Sequence, residues 1–171
     1  DSAEPSGVGR MMLTLAAALP PEWDARLLFA DHAAGRRLVA EAMAAGSTAA
    51  VVAPEAWGRA FAGAAVVNIH AGIGWEGHAL CAAARASGAA VVRTEHLPWL
   101  LTDAGQIADY ANHTCNLDAL ITVSEASAQS WRPHTHLPVH PVPNGIAASA
   151  MPRGVASSTI LCVARLTPQK N

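Results

Sequence analysis

The sequence predicts an α/β protein with a doubly wound, mostly parallel β-sheet, and two observations lead to this prediction. Short runs of consecutive apolar residues recur along the chain, and such runs are typical of strands covered on both faces. Helical patterns fill most of the gaps, and alternating strands and helices indicate βαβ units. The predicted strands cover residues 25–30, 49–53, 64–70, 89–94, 119–124 and 159–164.

The predicted helices follow from the spacing of apolar residues. In the first helix the apolar stripe consists of Val8, Met12, Leu15 and Leu19, at 4-3-4 spacing. The second helix carries Leu38, Val39, Ala42 and Met43 on one face, and Gly46 is placed to end it. An alanine-rich helix over residues 75–87 ends at Gly88. The last amphipathic helix carries Ile107, Tyr110, Ala111, Thr114 and Leu117.

Composition favours a globular protein and argues against several functions. Of the 171 residues, 51% are hydrophobic and 14% are charged, which is unlike a disordered chain. The net charge is −2 and the arginines are scattered, so no basic stripe indicates nucleic-acid binding. No apolar run is long enough for a transmembrane helix. Cys81, Cys115 and Cys162 are far apart, and we expect them to be small buried residues in a reducing compartment.

The two ends of the chain bear on its domain organisation. Residues 1–9 have the composition of a loop that follows a strand, so we expect the first strand of the sheet to be missing from this chain. The α/β domain is predicted to cover residues 1–146. Residues 147–158, which follow the rigid Pro-Val-Pro-Asn-Gly turn, are predicted to form a linker. Residues 159–171 would then begin a second domain.

Polar residues at the carboxyl ends of the strands are the first candidates for a binding site, because ligands of open α/β sheets bind there. His70 ends one predicted strand and His96 follows another, while Glu76 lies in the first turn of the next helix. A histidine so placed can donate a hydrogen bond or act as acid or base near neutral pH. It can equally satisfy a loop, and position alone leaves both interpretations open.

Glycines and cations give a second set of candidates. Gly7 and Gly9 lie before the first helix, where glycine lets the backbone approach a ligand and free N–H groups attract an anion. A tight strand-to-helix turn would need the same residues. Met12 occupies the third glycine position of the dinucleotide-binding pattern, which disfavours that function. Arg165 and Lys170 follow the last predicted strand and suit a diphosphate, although they can also be solvated surface cations.

A histidine-rich segment precedes the predicted linker and resembles a metal-binding sequence at first sight. It contains His134, His136 and His140, but these residues are not at helical spacing and prolines interrupt them. No carboxylate or cysteine lies nearby in the sequence. We therefore expect no metal site.

Three elements in the second half of the chain resemble glycosyltransferase family 4, whose members have the two-domain GT-B fold. Residues 118–124, DALITVS, resemble the family's element of an aspartate, an apolar strand and Val-Ser. Residues 142–146, VPNGI, resemble its domain junction. Residues 160–166, ILCVARL, together with Lys170 resemble its strand with a Gly-Arg-Leu and Lys-Gly phosphate motif. Ala164 and Asn171 stand where the family usually has glycine.

The resemblance implies that the chain is the N-terminal half of a GT-B, Rossmann-like enzyme that lacks its first strand. That enzyme would transfer a sugar, with retention, from a nucleoside-diphosphate sugar to an acceptor hydroxyl in the synthesis of a cell-surface polysaccharide, glycolipid or glycoconjugate. His96 would be the catalytic histidine beside the reacting sugar. The resemblance places the donor phosphates at Gly7, Gly9, Arg165 and Lys170, and the acceptor side at His70 and Glu76.

The resemblance also implies partners and a location. The partners would be the nucleotide-sugar donor and a sugar or lipid-linked acceptor, with no metal, cofactor or nucleic acid. The enzyme would be bacterial and cytoplasmic, with peripheral contact to the inner membrane. The family's acidic donor motif is not among these 171 residues, so we expect this chain alone to be inactive. Two alternatives stay open: another GT-B enzyme, such as a sugar-nucleotide epimerase or a phosphorylase-like transferase, and a non-catalytic flavodoxin-like binding domain.

Overall fold

The computed structural model of the protein describes residues 7–71 and 77–145. The strands are β1 (Arg26–Ala30), β2 (Thr48–Val52), β3 (Val66–Ala71), β4 (Ala90–Glu95), β5 (Ala119–Thr122) and β6 (Val139–Pro141). The helices are α1 (Gly7–Ala18), α2 (Ala33–Ala44), α3 (Trp57–Ala60), α4 (His78–Ala86), α5 (Ala104–Thr114) and α6 (Glu125–Trp131), with 3₁₀ turns at Pro54–Ala56 and Arg132–His134. The predicted strands that fall in the described ranges are confirmed, within two residues at each end.

The strands form two parallel sheets. One contains β1 and β2, and the other contains β3, β4, β5 and β6 in that order. The registers place Leu28 opposite Ala50 in the first sheet and His70 opposite Thr94 in the second. In the described structure β1 and β3 are not hydrogen-bonded to each other, so a break separates the two sheets.

The helices cover opposite faces of the two sheets. α1 and α2 pack on Leu27 and Phe29 of β1. Leu28 alternates with them, and it packs against the core cluster that contains Val67 and Ile69 of β3. α4, α5 and α6 contribute Cys81, Ala84, Tyr110 and Trp131 to that same cluster. Helices on both sides of parallel strands make the fold α/β and Rossmann-like, which confirms the predicted fold class.

The apolar stripe predicted for α1 is wrong in part. Leu15 and Leu19 are exposed, whereas the residues that pack against the sheet and α2 are Met12, Leu13 and Ala16, with Gly9 buried in the same row. Gly9 explains the shift, because a Cβ atom built there would lie 2.4 Å from Leu38 Cδ1. The close approach of α2 at Gly9 rotates the buried face of α1 away from Leu15.

Other predictions need smaller corrections. Met43 and Ile107 belong to predicted apolar helix faces but are exposed, and Cys115 is an exposed thiol at the end of α5 rather than a buried one. Gly46 and Gly88 follow α2 and α4 with positive φ, as helix-ending glycines do. The predicted linker 147–158 and the predicted strand 159–164, with Cys162, lie outside the described residues.

The sequence prediction did not include α6 or β6. β6 lies at one edge of the larger sheet, and its pairing with β5 is extended by the Leu120 N–H, which donates to Pro138 O at 2.9 Å, and the Val142 N–H, which donates to Thr122 O at 2.7 Å. An edge strand tolerates prolines because only one of its sides is paired. The proline- and histidine-rich segment therefore completes the sheet before the predicted linker begins.

Candidate functional site

Four polar side chains form a row at the carboxyl edge of β3 and β4. Asn68 and His70 alternate with the apolar residues of β3, and Thr94 and His96 alternate with Arg93 and Glu95 at the end of β4. The register pairs His70 with Thr94, and the His96 N–H donates to Ala71 O at 3.1 Å, which extends the ladder by one residue. Since alternate residues share a face, all four side chains lie on one face of the sheet.

Hydrogen bonds join these side chains in two pairs. The Thr94 hydroxyl donates to Asn68 Oδ1 over 2.9 Å. His70 Nδ1 and His96 Nε2 lie 3.1 Å apart, with ring centroids 5.4 Å apart and ring planes inclined by 33°. One imidazole must therefore donate its proton to the lone pair of the other. The row thus offers an amide, a hydroxyl and two imidazoles in a fixed arrangement.

Both imidazoles resist protonation. Burial, and then the nearby charge of His96, lower the pKa of His70 to about 4. Burial also lowers the pKa of His96. The pair is neutral near pH 7, so it presents one N–H donor and one lone-pair acceptor in addition to the shared hydrogen bond. Such a pair suits recognition of hydroxyl groups, which both donate and accept.

The opposite face of β4 carries a buried ion pair. Arg93 Nε lies 2.6 Å from Glu95 Oε1, and both side chains are fully buried. Beneath them lie Cys81 and Tyr110, whose pKa values are raised because burial disfavours their charged forms. Glu95 therefore points away from His96, because alternate residues of a strand face opposite sides of the sheet.

The loop after His96 is held against α6. The Trp131 indole Nε1–H donates to Leu97 O at 2.9 Å, and the Ser127 hydroxyl donates to the same oxygen at 3.3 Å. The Trp99 N–H donates to the Ser130 hydroxyl oxygen at 3.0 Å. These bonds fix the backbone immediately after His96.

Asp118, the first residue of the family-like DALITVS element, has a structural role here. Its Oδ2 accepts a hydrogen bond from the Val91 N–H at 2.7 Å, and its Oδ1 lies 2.8 Å from Arg85 Nη2. Its own N–H donates to Val91 O at 2.8 Å. The hydrogen bond from Arg85 is the main reason that the pKa of Asp118 is lowered. Asp118 therefore ties the start of β5 to β4 and α4.

The remaining predicted site residues have different positions. Gly7 is exposed in the first turn of α1, and a Cβ atom there would meet nothing within 4 Å. Gly9 is explained by its packing against Leu38. His70 and His96, predicted separately, are brought into contact. Glu76, Arg165 and Lys170 lie outside the described residues.

The segment with three histidines is dispersed in space. His134 stacks on Trp99, with ring centroids 4.0 Å apart and planes inclined by 7°. His134 and His136 line a cavity of about 380 Å³ beside α5, and His140 lies in β6. A second cavity of about 400 Å³ is lined by β1, β2 and α3. Neither is lined by the polar row. Within residues 7–71 and 77–145, no group of three or more histidine, cysteine or acidic residues could hold a metal ion.

Sequence reasoning missed Asn68 and Thr94. Asn68 interrupts a run of β-branched residues and Thr94 lies between Arg93 and Glu95, and a polar residue within a buried parallel strand needs a hydrogen-bonding partner. That signal could have indicated both residues, but a single interruption does not identify the partner. Their pairing depends on the register between β3 and β4, which requires the structure.

Comparisons with protein-family models, with curated proteins and with solved structures find no match for this chain. In the described part of the chain, no helix combines the length and the apolar character needed to cross a bilayer.

Proposed function

We propose that this chain is the acceptor-side domain of a retaining, nucleotide-sugar-dependent glycosyltransferase. The sequence resemblance at residues 118–124, 142–146 and 160–170 supports the proposal, and so does the Rossmann-like fold. A fold alone does not indicate a function. The main support for the proposal is therefore the chemistry of the side chains in the polar row.

The neutral His70–His96 pair is the observation that carries this proposal. It lies at the carboxyl edge of β3 and β4, and β3 borders the break at which the helices change from one face to the other. In doubly wound sheets this switch point is where ligands bind. Paired imidazoles that remain uncharged can hydrogen-bond sugar hydroxyls without attracting the negatively charged groups that a cationic site would bind.

Each residue of the site has a defined task in the proposed reaction. His96 would contact the sugar at the reacting centre, and His70 would fix the tautomer and orientation of His96. Asn68 and Thr94 would keep β3 and β4 in register beneath them. Outside the described residues, Arg165 and Lys170 would neutralise the diphosphate as it leaves, and Glu76 would contact the acceptor. Gly7 would leave room for the donor beside the first turn of α1.

The proposal extends to the ligands and the location of the enzyme. The donor is a nucleoside-diphosphate sugar, and the acceptor is a sugar or lipid-linked hydroxyl at the cytoplasmic face of the inner membrane. Fixed cations and N–H groups would stabilise the leaving diphosphate, so no metal or cofactor is required. A complete donor pocket is needed for transfer, and we expect the 171-residue chain to bind an acceptor without transferring sugar.

A non-catalytic binding domain is the second candidate. The observation that favours it is that the polar side chains of the row satisfy one another: Thr94 bonds to Asn68, and His70 bonds to His96. A network of this kind can have a purely structural role, in which it stabilises the pairing of two strands and contacts no ligand. The two candidates differ in whether a ligand contacts the imidazoles.

Imidazole NMR tests the proposal. In ¹⁵N-histidine-labelled protein, glycosides and lipid-linked sugar mimics should shift the ring signals of His70 and His96, and His96→Ala should abolish the binding. The matched control is His136→Gln, which changes an exposed histidine outside the row and should bind normally. If no sugar in the panel shifts these signals, or if His96→Ala binds as well as wild type, the proposed function is wrong.

A further inference from the structure

A cavity of about 380 Å³ lies between α5 and the segment that follows α6. Its volume falls in the range of about 300–1,000 Å³ that sites for small molecules occupy. The loop after β4 and α5 contribute Trp99, Tyr110 and Ala111 to its lining, and the segment after α6 contributes Arg132, His134 and Thr135. Within the described chain no side chain of the polar row lines this cavity, so it is separate from the proposed sugar site.

Trp99 is a fixed aromatic wall of the cavity. Its backbone N–H donates to the Ser130 hydroxyl oxygen at 3.0 Å. Its ring meets the buried rings of Tyr110 and Trp131 in T-shaped contacts, with centroids 5.3 and 4.9 Å apart. His134 stacks on Trp99 with centroids 4.0 Å apart and planes inclined by 7°. Flat rings that are already held in place favour a planar ligand, because such a ligand can stack without reordering the wall.

The polar groups of the lining are mainly hydrogen-bond donors. Arg132 Nη1 lies 2.6 Å from Glu125 Oε1, but guanidinium has five N–H donors, and this partly exposed ion pair is weak. Thr135 Oγ1 accepts from the Leu137 N–H at 3.2 Å, and its own O–H can donate to a ligand. His136 adds a further imidazole. Since no aspartate or glutamate is among the described lining residues, the cavity suits an anion better than a cation.

We infer that this cavity binds a small planar anion, a flat ring that carries one carboxylate or phosphate group. The ring would lie against the wall formed by Trp99 and His134. The acidic group would accept charge-assisted hydrogen bonds from Arg132, whose planar fork matches both carboxylate and phosphate. A neutral ring would leave the arginine without its ligand, and a bare anion would gain nothing from the aromatic wall.

A set of matched ligands tests both halves of this chemistry. Calorimetric titration of the 171-residue chain compares benzoate and phenyl phosphate with benzyl alcohol, acetate and inorganic phosphate. At least one aromatic acid should bind about fivefold or more tightly than benzyl alcohol and than its own bare anion. The stronger of the two aromatic acids identifies the preferred acidic group. Absence of binding at about 10 mM, or equal binding of benzyl alcohol, would show that the inference is wrong.

The ring signals of ¹⁵N-labelled histidines locate the bound ligand. The aromatic acid should shift the signals of His134 and His136 and leave those of His70 and His96 unchanged. A failure here is distinct from a failure of the proposed function, because the latter concerns sugars at the other two histidines. Shifts confined to His70 and His96 would place the anion in the polar row and overturn the inference.

Four variants test the site itself. Arg132→Gln should weaken binding about tenfold or more, as the loss of a charge-assisted hydrogen bond does, whereas Glu125→Gln frees the arginine and should strengthen binding. Arg59→Gln is the matched control, since this exposed arginine lines the other cavity. Ala111→Trp fills the cavity from an exposed position on α5 and should abolish binding without removing a charge.

Thermal melts of all four variants show whether each remains folded, and Ala111→Trp keeps the test decisive if Arg132→Gln does not. An equal loss of affinity in Arg59→Gln would mean that the anion binds through general surface charge. Undiminished binding in Ala111→Trp would mean that it binds outside the cavity. Either result overturns the inference.

Discussion

His70 Nδ1 lies 3.1 Å from His96 Nε2, and this contact joins two histidines that are 26 residues apart in the chain. It leaves His70 Nε2 and His96 Nδ1 as the nitrogens outside the shared bond. The ring that donates in the shared bond has a lone pair on its outer nitrogen, and the ring that accepts carries an N–H on its outer nitrogen. The two rings therefore act as a single unit with one donor end and one acceptor end.

Stability should depend on pH through His70. Its pKa in the folded chain is about 4, against about 6.5 for an unperturbed histidine. Between these values the unfolded chain takes up a proton that the folded chain does not bind. The free energy of unfolding should therefore fall as the pH falls from 6.5 to 4, by up to about 3 kcal/mol. Well above pH 6.5 His70 is neutral in both states, so this loss of stability is absent.

Urea denaturation at pH 7, 5.5 and 4.5 measures this effect. His70→Asn should lessen the pH dependence, and His136→Gln should leave it as in wild type. Equal slopes for wild type and His70→Asn would show that His70 titrates normally in the folded protein.

His96 should matter for turnover more than for folding. In an enzyme that joins this domain to a complete nucleotide-binding domain, His96→Ala should lower kcat by roughly 10²–10⁴-fold, the usual effect of losing a positioned proton-handling group. The fold should survive, because His96 follows β4 and is only partly buried. His136→Ala, at an exposed position outside the polar row, is the control. Wild-type turnover in His96→Ala would disprove the role, and loss of the folded state would assign His96 to structure.

The buried ion pair should be sensitive to the loss of one partner. Glu95→Gln leaves the Arg93 charge buried beside a neutral group, and breaking a buried pair in this way usually costs about 3–5 kcal/mol. The double variant Arg93→Met with Glu95→Leu removes both charges and should recover much of the loss. Chemical denaturation of the three proteins measures the comparison. If the double variant is no more stable than Glu95→Gln, the pair contributes through packing rather than charge compensation.

Asp118 gives a test of the β4–β5 junction. Asp118→Ala removes the acceptor of the buried Val91 N–H as well as the partner of Arg85. Arg85→Gln removes only the partly exposed ion pair, which is worth little. Thermal melts should therefore rank wild type, Arg85→Gln and Asp118→Ala in decreasing stability. A reversed order of the two variants would mean that the ion pair, and not the backbone hydrogen bond, holds the junction.

The strands were predictable because burial on both faces requires a run of consecutive apolar residues, which is visible in the sequence. Residues 89–94 and 119–124 are continuously or nearly continuously apolar, and each coincides with a parallel strand. β6 has no such mark, because an edge strand is only partly buried and accepts Pro141. The buried face of α1 was mispredicted because it depends on Gly9, whose importance comes from the approach of Leu38.

Of the four side chains in the polar row, the two histidines were predictable as candidates, but their arrangement was not. His70 and His96 follow from their places at strand ends. Their contact depends on the order of β3 and β4 in the sheet, and their lowered pKa values depend on burial. The same is true of the Thr94–Asn68 bond. Pairings between residues far apart in sequence arise from topology, which no local pattern encodes.

The alternation along the end of β4 also protects the protein against misfolding. Arg93 and Glu95 face the apolar core as a compensated pair, while Thr94 and His96 face the other way. If β4 slipped by one residue, every side chain would change faces. Arg93 and Glu95 would then lie on the same face as His70. Thr94 and His96 would be buried in the apolar core without hydrogen-bond acceptors. Polar residues therefore set the alignment of β4, which its valines alone would leave ambiguous.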